Sequence, residues 1–253
     1  VQQLGGQMFR LLSGGAGTFR FALPTNTARV RVFYLSQGAN IGVQTNLGSI
    51  GSITDNTQKV EYKDFAVQPG ATYAELIQPA AQTIYVCGIY ALSATQKAVL
   101  VNAGQNGALV STYTGNSATY DPIPTLKNLA PSLSIINLTI NDANSNTAIL
   151  TYQTGLATLI ETALLGGDVA LEFGFPSNNT QATDGTNYAV RKAVLELAQA
   201  YNLSVISFPA VVRGSWANAN AAGYTLDNLH ANYSGYGREA QYAMKPLIDL
   251  VMA

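Results

Sequence analysis

An α/β fold built on a parallel sheet, with an antiparallel β-rich module ahead of it, is the fold class this sequence predicts, on three observations. From Gly17 to about Leu92, apolar and polar residues alternate in short runs separated by Gly, Asn and Pro. That period of two marks strands with one face buried. From Ala98 onward the apolar residues come instead in short unbroken runs, which suits strands covered on both faces in a parallel sheet. Stretches with helical spacing separate those runs, so strand and helix alternate as in βαβ units.

In chain order, Leu4, Met8, Leu11 and Leu12 are spaced to share a helical face, predicting a short helix within residues 1–16 that stops at Ser13-Gly14-Gly15. The strand-rich stretch then carries Phe19 and Phe21, Val30, Val32 and Tyr34, Ile41 and Val43, and Val60, Tyr62 and Phe65, before the run Ile84 to Ile89. Its breaks fall at Pro24-Thr25-Asn26, Gln37-Gly38, Asp55-Asn56 and Pro69-Gly70, the turn-forming residues of an antiparallel β-sandwich. The unbroken runs are Ala98 to Val101, Leu133 to Leu138, Val169 to Phe175 and Ser204 to Phe208, with helices expected over Thr147 to Leu165 and Tyr188 to Tyr201. The predicted division is residues 1–16 as a helical part of the α/β domain, 17–95 as the β-sandwich and 96–253 as a doubly wound α/β domain. Such sheets bind ligands beyond the carboxyl ends of their strands, where Gly104, Thr139 and Asn141 stand.

Composition excludes several functions. Charged residues make up 11% of the chain, and 13 basic against 14 acidic residues leave a formal charge of −1, so nothing is built to neutralise phosphates and nucleic acid is not a partner. Solubility must rest on neutral Asn, Thr, Ser, Gln and Gly, a surface common on extracellular and virion proteins, and that location is the expectation here. Cys87 is the only cysteine, so no intrachain disulfide forms, and in its apolar run it reads as a buried small hydrophobe. No apolar stretch reaches about 18 residues, so no transmembrane helix is predicted and no membrane partner is implied. One histidine and one cysteine, far apart, make no ordinary zinc site, and no Gly-rich loop with a lysine follows a strand, so neither metal nor cofactor is implied. The amino end has no initiator Met and no signal-peptide pattern, and reads as the middle of a longer polypeptide.

Chemistry concentrates near the carboxyl end. His230 is the only histidine, and Asp227 stands three residues before it. Imidazole can take and return a proton near neutrality, and a carboxylate on its other nitrogen holds the tautomer this requires. Trp216, the only tryptophan, lies in the loop just upstream, either exposed with its ring face free to stack on a substrate or packed under the loop. Tyr233 and Tyr236 are expected to pack. Read singly, Asp227 is a loop carboxylate, Gly104 a turn glycine and Asn141 a strand-end cap.

Taken together, three segments resemble the SGNH or GDSL hydrolase family. Val101-Asn102-Ala103-Gly104-Gln105-Asn106-Gly107-Ala108 is similar to that family's second block, Thr139-Ile140-Asn141-Asp142 to its third (Gly-x-Asn-Asp), and Asp227-Asn228-Leu229-His230, followed by Gly235-Tyr236, to its last. The resemblance covers the chain from about residue 98 to the end. It implies a flavodoxin-like α/β fold and a serine ester hydrolase, with the Gly104 N–H and the Asn141 amide as oxyanion donors, His230 as base and Asp227 as its partner.

Two departures stand out: Thr139 replaces the glycine of the third block, and the first block, Gly-Asp-Ser, is absent. The family includes members with a β-sandwich inserted after the first block, so the resemblance places the serine on a segment upstream of Val1 or on a partner chain, completing the middle of the sheet. The alternatives are Ser13 or Ser52 within the chain, neither preceded by aspartate, and a pseudoenzyme that only binds. Members with an added sandwich imply an acylated oligo- or polysaccharide as substrate, as for phage tail proteins that deacetylate bacterial surface polysaccharide. The contrasting reading is a non-catalytic carbohydrate-binding or structural module of a tail fibre. A homo-oligomer stays open as a partner arrangement.

Overall fold

The structure is a computed structural model and describes residues 9–11, 17–35, 38, 40–56, 60–78, 84–95, 101–115, 122–178 and 184–252. In chain order these form β1 (Phe9–Leu11), β2 (Gly17–Ala22), β3 (Thr27–Leu35), β4 (Ile41–Thr45), β5 (Gly48–Ile53), β6 (Val60–Ala66), β7 (Tyr73–Gln78) and β8 (Ile84–Ser93). Then come α1 (Val110–Thr114), α2 (Pro122–Leu129), β9 (Leu133–Ile136), α3 (Ile140–Asn144), α4 (Ile149–Leu164), β10 (Asp168–Phe173), α5 (Asp184–Tyr201) and β11 (Ser204–Ser207). The chain ends with α6 (Phe208–Val211), α7 (Trp216–Ala221), α8 (Tyr233–Glu239), a π-helical turn (Ala240–Met244) and α9 (Lys245–Met252). Two compact units result, residues 1–105 with 116–129, and residues 106–115 with 130–253.

The first unit contains two antiparallel four-stranded sheets, ordered β1-β8-β3-β6 and β2-β7-β4-β5. Alternation along β3 turns Val30, Val32 and Tyr34 inward, where they join Val43, Ile53 and Leu76 of the other sheet in one buried cluster. Each such side chain contributes about 1.5–3 kcal/mol on burial. The opposite face of β3 is mixed: Phe33 and Leu35 are buried, while Arg31 sits directly across from Asp64 and grips it with two hydrogen bonds of 2.7 and 2.9 Å. Helix α2 belongs to this unit because the Asn128 amide donates to the Val60 carbonyl at 2.7 Å, satisfying a backbone group at the start of β6.

The second unit carries a parallel sheet in the order β11-β10-β9. Val169 to Phe173 of the central strand are buried throughout, as the unbroken apolar run requires. Helix α4 buries Tyr152, Leu156, Leu159, Ile160 and Ala163, one stripe at helical spacing. In α5 the corresponding stripe is Val190, Ala193, Val194 and Ala198. Both helices pack against β10 and against each other, joined by Gln153 to Glu196 at 2.8 Å and Tyr201 to Glu161 at 2.6 Å. Helix α6 packs on β10, and the π-helical turn packs on α6 and β11. Strand β9 is half exposed and pairs, among the described residues, with β10 alone.

Some expectations need correction. Phe9 to Leu11 form a strand paired with β8 (Phe9 opposite Val86) and not part of a helix; the rest of residues 1–16 lies outside the described residues. Pairing with β8 supplies the backbone groups of Phe9 to Leu11 with partners. Residues 96–100 lie outside the described residues, but Val101 is 37% exposed and not strand, because Asn102 turns the chain locally by accepting the Gly104 N–H. The chain passes between the two compact units more than once, since 106–115 and 116–129 belong to different units. Cys87 is only half buried.

Candidate active site

The Asp227–His230 segment is the tip of a small hairpin. Thr225 and Ala231 form an antiparallel bridge, the Leu226 N–H donates to the His230 carbonyl at 2.9 Å, and the Asn232 N–H donates to the Tyr224 carbonyl at 2.9 Å. Within the tip, Asp227 Oδ1 accepts the backbone N–H groups of Leu229 (2.7 Å) and His230 (2.6 Å). Short acidic side chains commonly close turns in this way. The carboxylate is thereby fixed, and it meets His230 Nδ1 at 2.9 Å through Oδ2 and 3.1 Å through Oδ1.

Those bonds set the electrostatics. The His230 ring foremost, and then the two backbone N–H groups, hold the Asp227 carboxyl down at about 2. An ionised Asp227 can only accept, so Nδ1 carries the hydrogen in the neutral ring and Nε2 keeps its lone pair. Both side chains are half exposed, at 52% and 50%, and no described residue bonds Nε2. The arrangement can therefore take a proton from a hydroxyl brought to Nε2 and return it to a leaving group.

The tip is braced from several directions. Asn232 caps α8 by accepting the Gly235 N–H at 3.0 Å, while its amide donates to the carbonyls of Gly223 (2.7 Å) and Thr225 (3.3 Å). The Trp216 indole donates to the Asp227 carbonyl at 3.0 Å and packs against the cluster of Phe175, Phe208, Val212, Ala219 and Ala231. The Asn178 N–H, in the loop after β10, donates to the Asn228 carbonyl at 2.7 Å. Helix α8 approaches closely because residue 235 is glycine, where an added Cβ would lie 2.6 Å from the Tyr224 carbonyl oxygen and 2.9 Å from the Ala231 Cβ.

Asn141 stands in α3, directly beyond the end of β9. Its amide donates to the Ala108 carbonyl at 3.1 Å, and its neighbour Asp142, fully buried, accepts the Val110 N–H at 2.8 Å. Burial raises the Asp142 carboxyl above the usual range. The third-block residues thus hold the segment after the second block. Thr139, in place of glycine, accepts the Gly174 N–H at 2.9 Å and so ties the ends of β9 and β10 together. Ile140 packs against the same cluster that holds Ala231, so Asn141 and His230 each adjoin a residue of that one cluster.

Gly104 falls in the first unit, with its N–H donating to Asn102 Oδ1 at 2.9 Å. Ser52 is exposed in β5 of that unit, and Ser13 lies outside the described residues. Of the two arrangements expected for Trp216, the structure has the packed one, which makes the indole a brace for Asp227. Tyr233, expected to pack, is 93% exposed; Tyr236 packs against Phe208 at 5.7 Å between ring centroids while remaining 47% exposed. The bracing roles of Asn232 and Asn178 went unread in the sequence. Asn232 carried a signal, an asparagine just ahead of the last helix at its N-cap. Among the described residues, no three or more His, Cys, Asp or Glu side chains are grouped to hold a metal ion.

No family model and no curated protein matches the chain. Among solved structures, it is similar to a member of the lipolytic G-D-S-L family from Veillonella parvula, at 21% identity and a TM-score of 0.43, covering 57% of this chain and 77% of that one. It is similar to the acetylxylan esterase Axe2 of Geobacillus stearothermophilus at 18% identity and a TM-score of 0.43, covering 56% and 68%. A family two carbohydrate esterase of Clostridium thermocellum matches at 12% identity and a TM-score of 0.40, covering 93% of this chain and 91% of that one. The solved structures that the chain resembles thus include GDSL-type lipolytic proteins and carbohydrate esterases.

Proposed function

We propose that this chain carries the base and the orienting carboxylate of a serine ester hydrolase that removes acyl groups, acetyl foremost, from carbohydrate. The observation that carries the reading is the held imidazole: His230 Nδ1 lies 2.9 Å from an ionised Asp227, and Nε2 is unbonded by any described residue. His230 takes the proton of a serine hydroxyl as it attacks the ester carbonyl and returns it to the departing alcohol, while Asp227 stabilises the imidazolium. Asn141 supplies an amide N–H to the oxyanion; each such donor lowers the barrier by about 3 kcal/mol.

The serine belongs to a strand that pairs with β9, on an upstream segment or a partner chain, so that β9 becomes an interior strand of a doubly wound sheet. Supporting this, Ile135 is 37% exposed on β9, and the Ser134 hydroxyl is buried without a partner. In this reading the antiparallel unit is a β-sandwich inserted between that strand and the rest of the hydrolase, and its neutral, Asn- and Thr-rich surface suits an extracellular or virion protein meeting bacterial polysaccharide.

The test compares this chain with one extended by its natural upstream sequence, on p-nitrophenyl acetate and on acetylated polysaccharide. Turnover by the longer chain, abolished by His230→Ala with the fold intact, is the expected result. Full activity in the His230→Ala variant would remove the proposed base. One observation favours a second reading, a non-catalytic carbohydrate-binding or structural module: the Gly104 N–H, an oxyanion donor in the hydrolase reading, is already bonded to Asn102. Sugar binding without turnover by either chain supports that second reading.

A further inference from the structure

Two carboxyl groups, one buried on β10 and one half-buried at the end of α8, lie side by side. Glu172, on the central strand β10, is 5% exposed and accepts the Asn137 amide at 2.9 Å. Glu239, the last residue of α8, hydrogen-bonds Glu172 through its side chain, and its Oε1 is buried without a partner of its own. Two ionised carboxylates at hydrogen-bond distance repel, and burial compounds the cost.

Among the described residues, no cation acts on either carboxyl. Asn137, just past the end of β9, bonds Glu172, Ile206 lies in register with Glu172 on β11, and from α8 the other titratable neighbour is Tyr236, whose hydroxyl is held up by burial and then by Glu239, Asp227 and Glu172. Phe208, which opens α6, packs on Tyr236. The one cation on α8, Arg238, donates to the Val211 carbonyl at 2.9 Å and lies over the rings of Tyr224 and Tyr242. Neither carboxyl is held by a cation, so the hydrogen bond between them requires one proton.

We propose that Glu172 and Glu239 share a single proton, and that this acid–carboxylate bond seats α8 on the sheet and makes Glu239 a positioning residue for the His230 loop. The route is short. Helix α8 begins at its cap Asn232, two residues after His230, and Asn232 braces the hairpin through Gly223 and Thr225. A carboxylic acid at the far end of the same helix fixes that end to β10. The functional consequence rests on His230 being the base, but the shared proton does not.

The directions of titration agree. Burial foremost, then the Glu172 partner, raises the Glu239 carboxyl to about 9, and burial raises Glu172 as well. The folded chain therefore retains a proton that the unfolded chain gives up above the ordinary glutamate value of 4.5, so this pair's contribution to stability is fully present below about 4.5 and is lost as pH rises to about 9.

Denaturant unfolding of the 253-residue chain, followed by the fluorescence of its single tryptophan, Trp216, reads the unit that holds the pair. Between pH 5.5 and 8.5 the unfolding constant is expected to rise roughly tenfold per pH unit, the slope of one retained proton. In Glu239→Gln, which keeps a neutral donor to Glu172, that slope should be lost at the upper end of the range, while in Glu172→Gln the carboxyl of Glu239 stays desolvated and a reduced slope should remain. The positioning role is read from the His230 backbone amide resonance, whose N–H binds Asp227 Oδ1. It should stay in place in Glu239→Gln and move in Glu239→Ala. A flat wild-type profile, or an unchanged slope in a Gln variant that folds, overturns the shared proton. Equal displacement in the Gln and Ala variants overturns the positioning role. None of these readouts needs turnover, so they stand apart from the test of the esterase reading.

Discussion

Replacing Asp227 by asparagine tests the tautomer on which the proposed chemistry depends. In the structure Oδ1 accepts both backbone N–H groups of the turn, at 2.7 and 2.6 Å, while Oδ2 is the nearer oxygen to His230 Nδ1 at 2.9 Å. An asparagine that keeps its oxygen on the two N–H groups must place its NH2 where Oδ2 stood. The turn survives, but a donor now faces Nδ1, so the ring must accept there and carry its hydrogen on Nε2, where the base lone pair is needed. Loss of the correct tautomer in a Ser-His-Asp arrangement lowers kcat by about 10⁴. Because His230 is the only histidine, ¹⁵N spectra of the imidazole can be assigned without ambiguity, and they should show the hydrogen on Nδ1 in the wild type and on Nε2 in Asp227→Asn. In the chain extended by its upstream sequence, kcat should fall by about 10⁴ with the unfolding midpoint nearly unchanged. An unchanged tautomer in the variant, or a loss of activity below about tenfold, refutes the reasoning.

Three further outcomes follow from the same geometry. The Asp227 carboxyl, held down at about 2, should titrate near that value in ¹³C spectra, and its contribution to folding should persist above the unfolded value of 3.8 and fade as pH drops through about 2; a midpoint near 4 counts against the His230 and backbone bonds. Gly235→Ala puts a Cβ 2.6 Å from the Tyr224 carbonyl oxygen, backbone that cannot step aside cheaply, so unfolding should become easier by about 1–3 kcal/mol with a shifted His230 amide resonance, whereas a change within about 0.5 kcal/mol would mean α8 is not closely seated. Trp216→Phe removes the donor to the Asp227 carbonyl and should cost about 0.5–1.5 kcal/mol by denaturant unfolding followed by circular dichroism; unaltered amide exchange at Leu229 and His230 would argue against Trp216 as a brace.

What was legible in the sequence follows the physics of each signal. The runs of β9, β10 and β11 were readable as unbroken apolar stretches, buried throughout only over Val169 to Phe173 of β10, and the stripes of α4 and α5 because burial along one side of a helix leaves a periodic record over many residues. Phe9 to Leu11 left none: three residues pairing with β8 have no period of their own, and the spacing of Leu4, Met8 and Leu11 suggested a helix instead. Val101 was misread because a short apolar run does not reveal that Asn102 will bend the chain after it. At the site, Asp227 and His230 were legible since their bond spans three residues. The braces were not, since Asn178 and Asn228 are fifty residues apart and no local pattern links them. The Glu172–Glu239 pair was hidden for the same reason, and more deeply, because a glutamate in a strand and another in a helix look like ordinary surface charges until packing brings them together.

This difference in range also bears on how the site is assembled. Nearly every bond that orients His230 lies between residues 213 and 235: the Asp227 turn, the Thr225–Ala231 bridge, the Asn232 cap and the Trp216 donor. Asn178 adds a tie from the loop after β10. None of these bonds involves the unpaired side of β9, where the proposed serine-bearing strand belongs. The imidazole is therefore oriented before a nucleophile arrives, and the entropy of arranging base and carboxylate is already spent when that strand docks. It follows that the His230 and Asp227 resonances should change little when the upstream segment is added, while the amides of Leu133 to Ile136 should gain protection from exchange as β9 acquires a second neighbour. The opposite pattern, a dyad that becomes ordered only on addition while β9 is indifferent, would place the serine somewhere other than beside this strand.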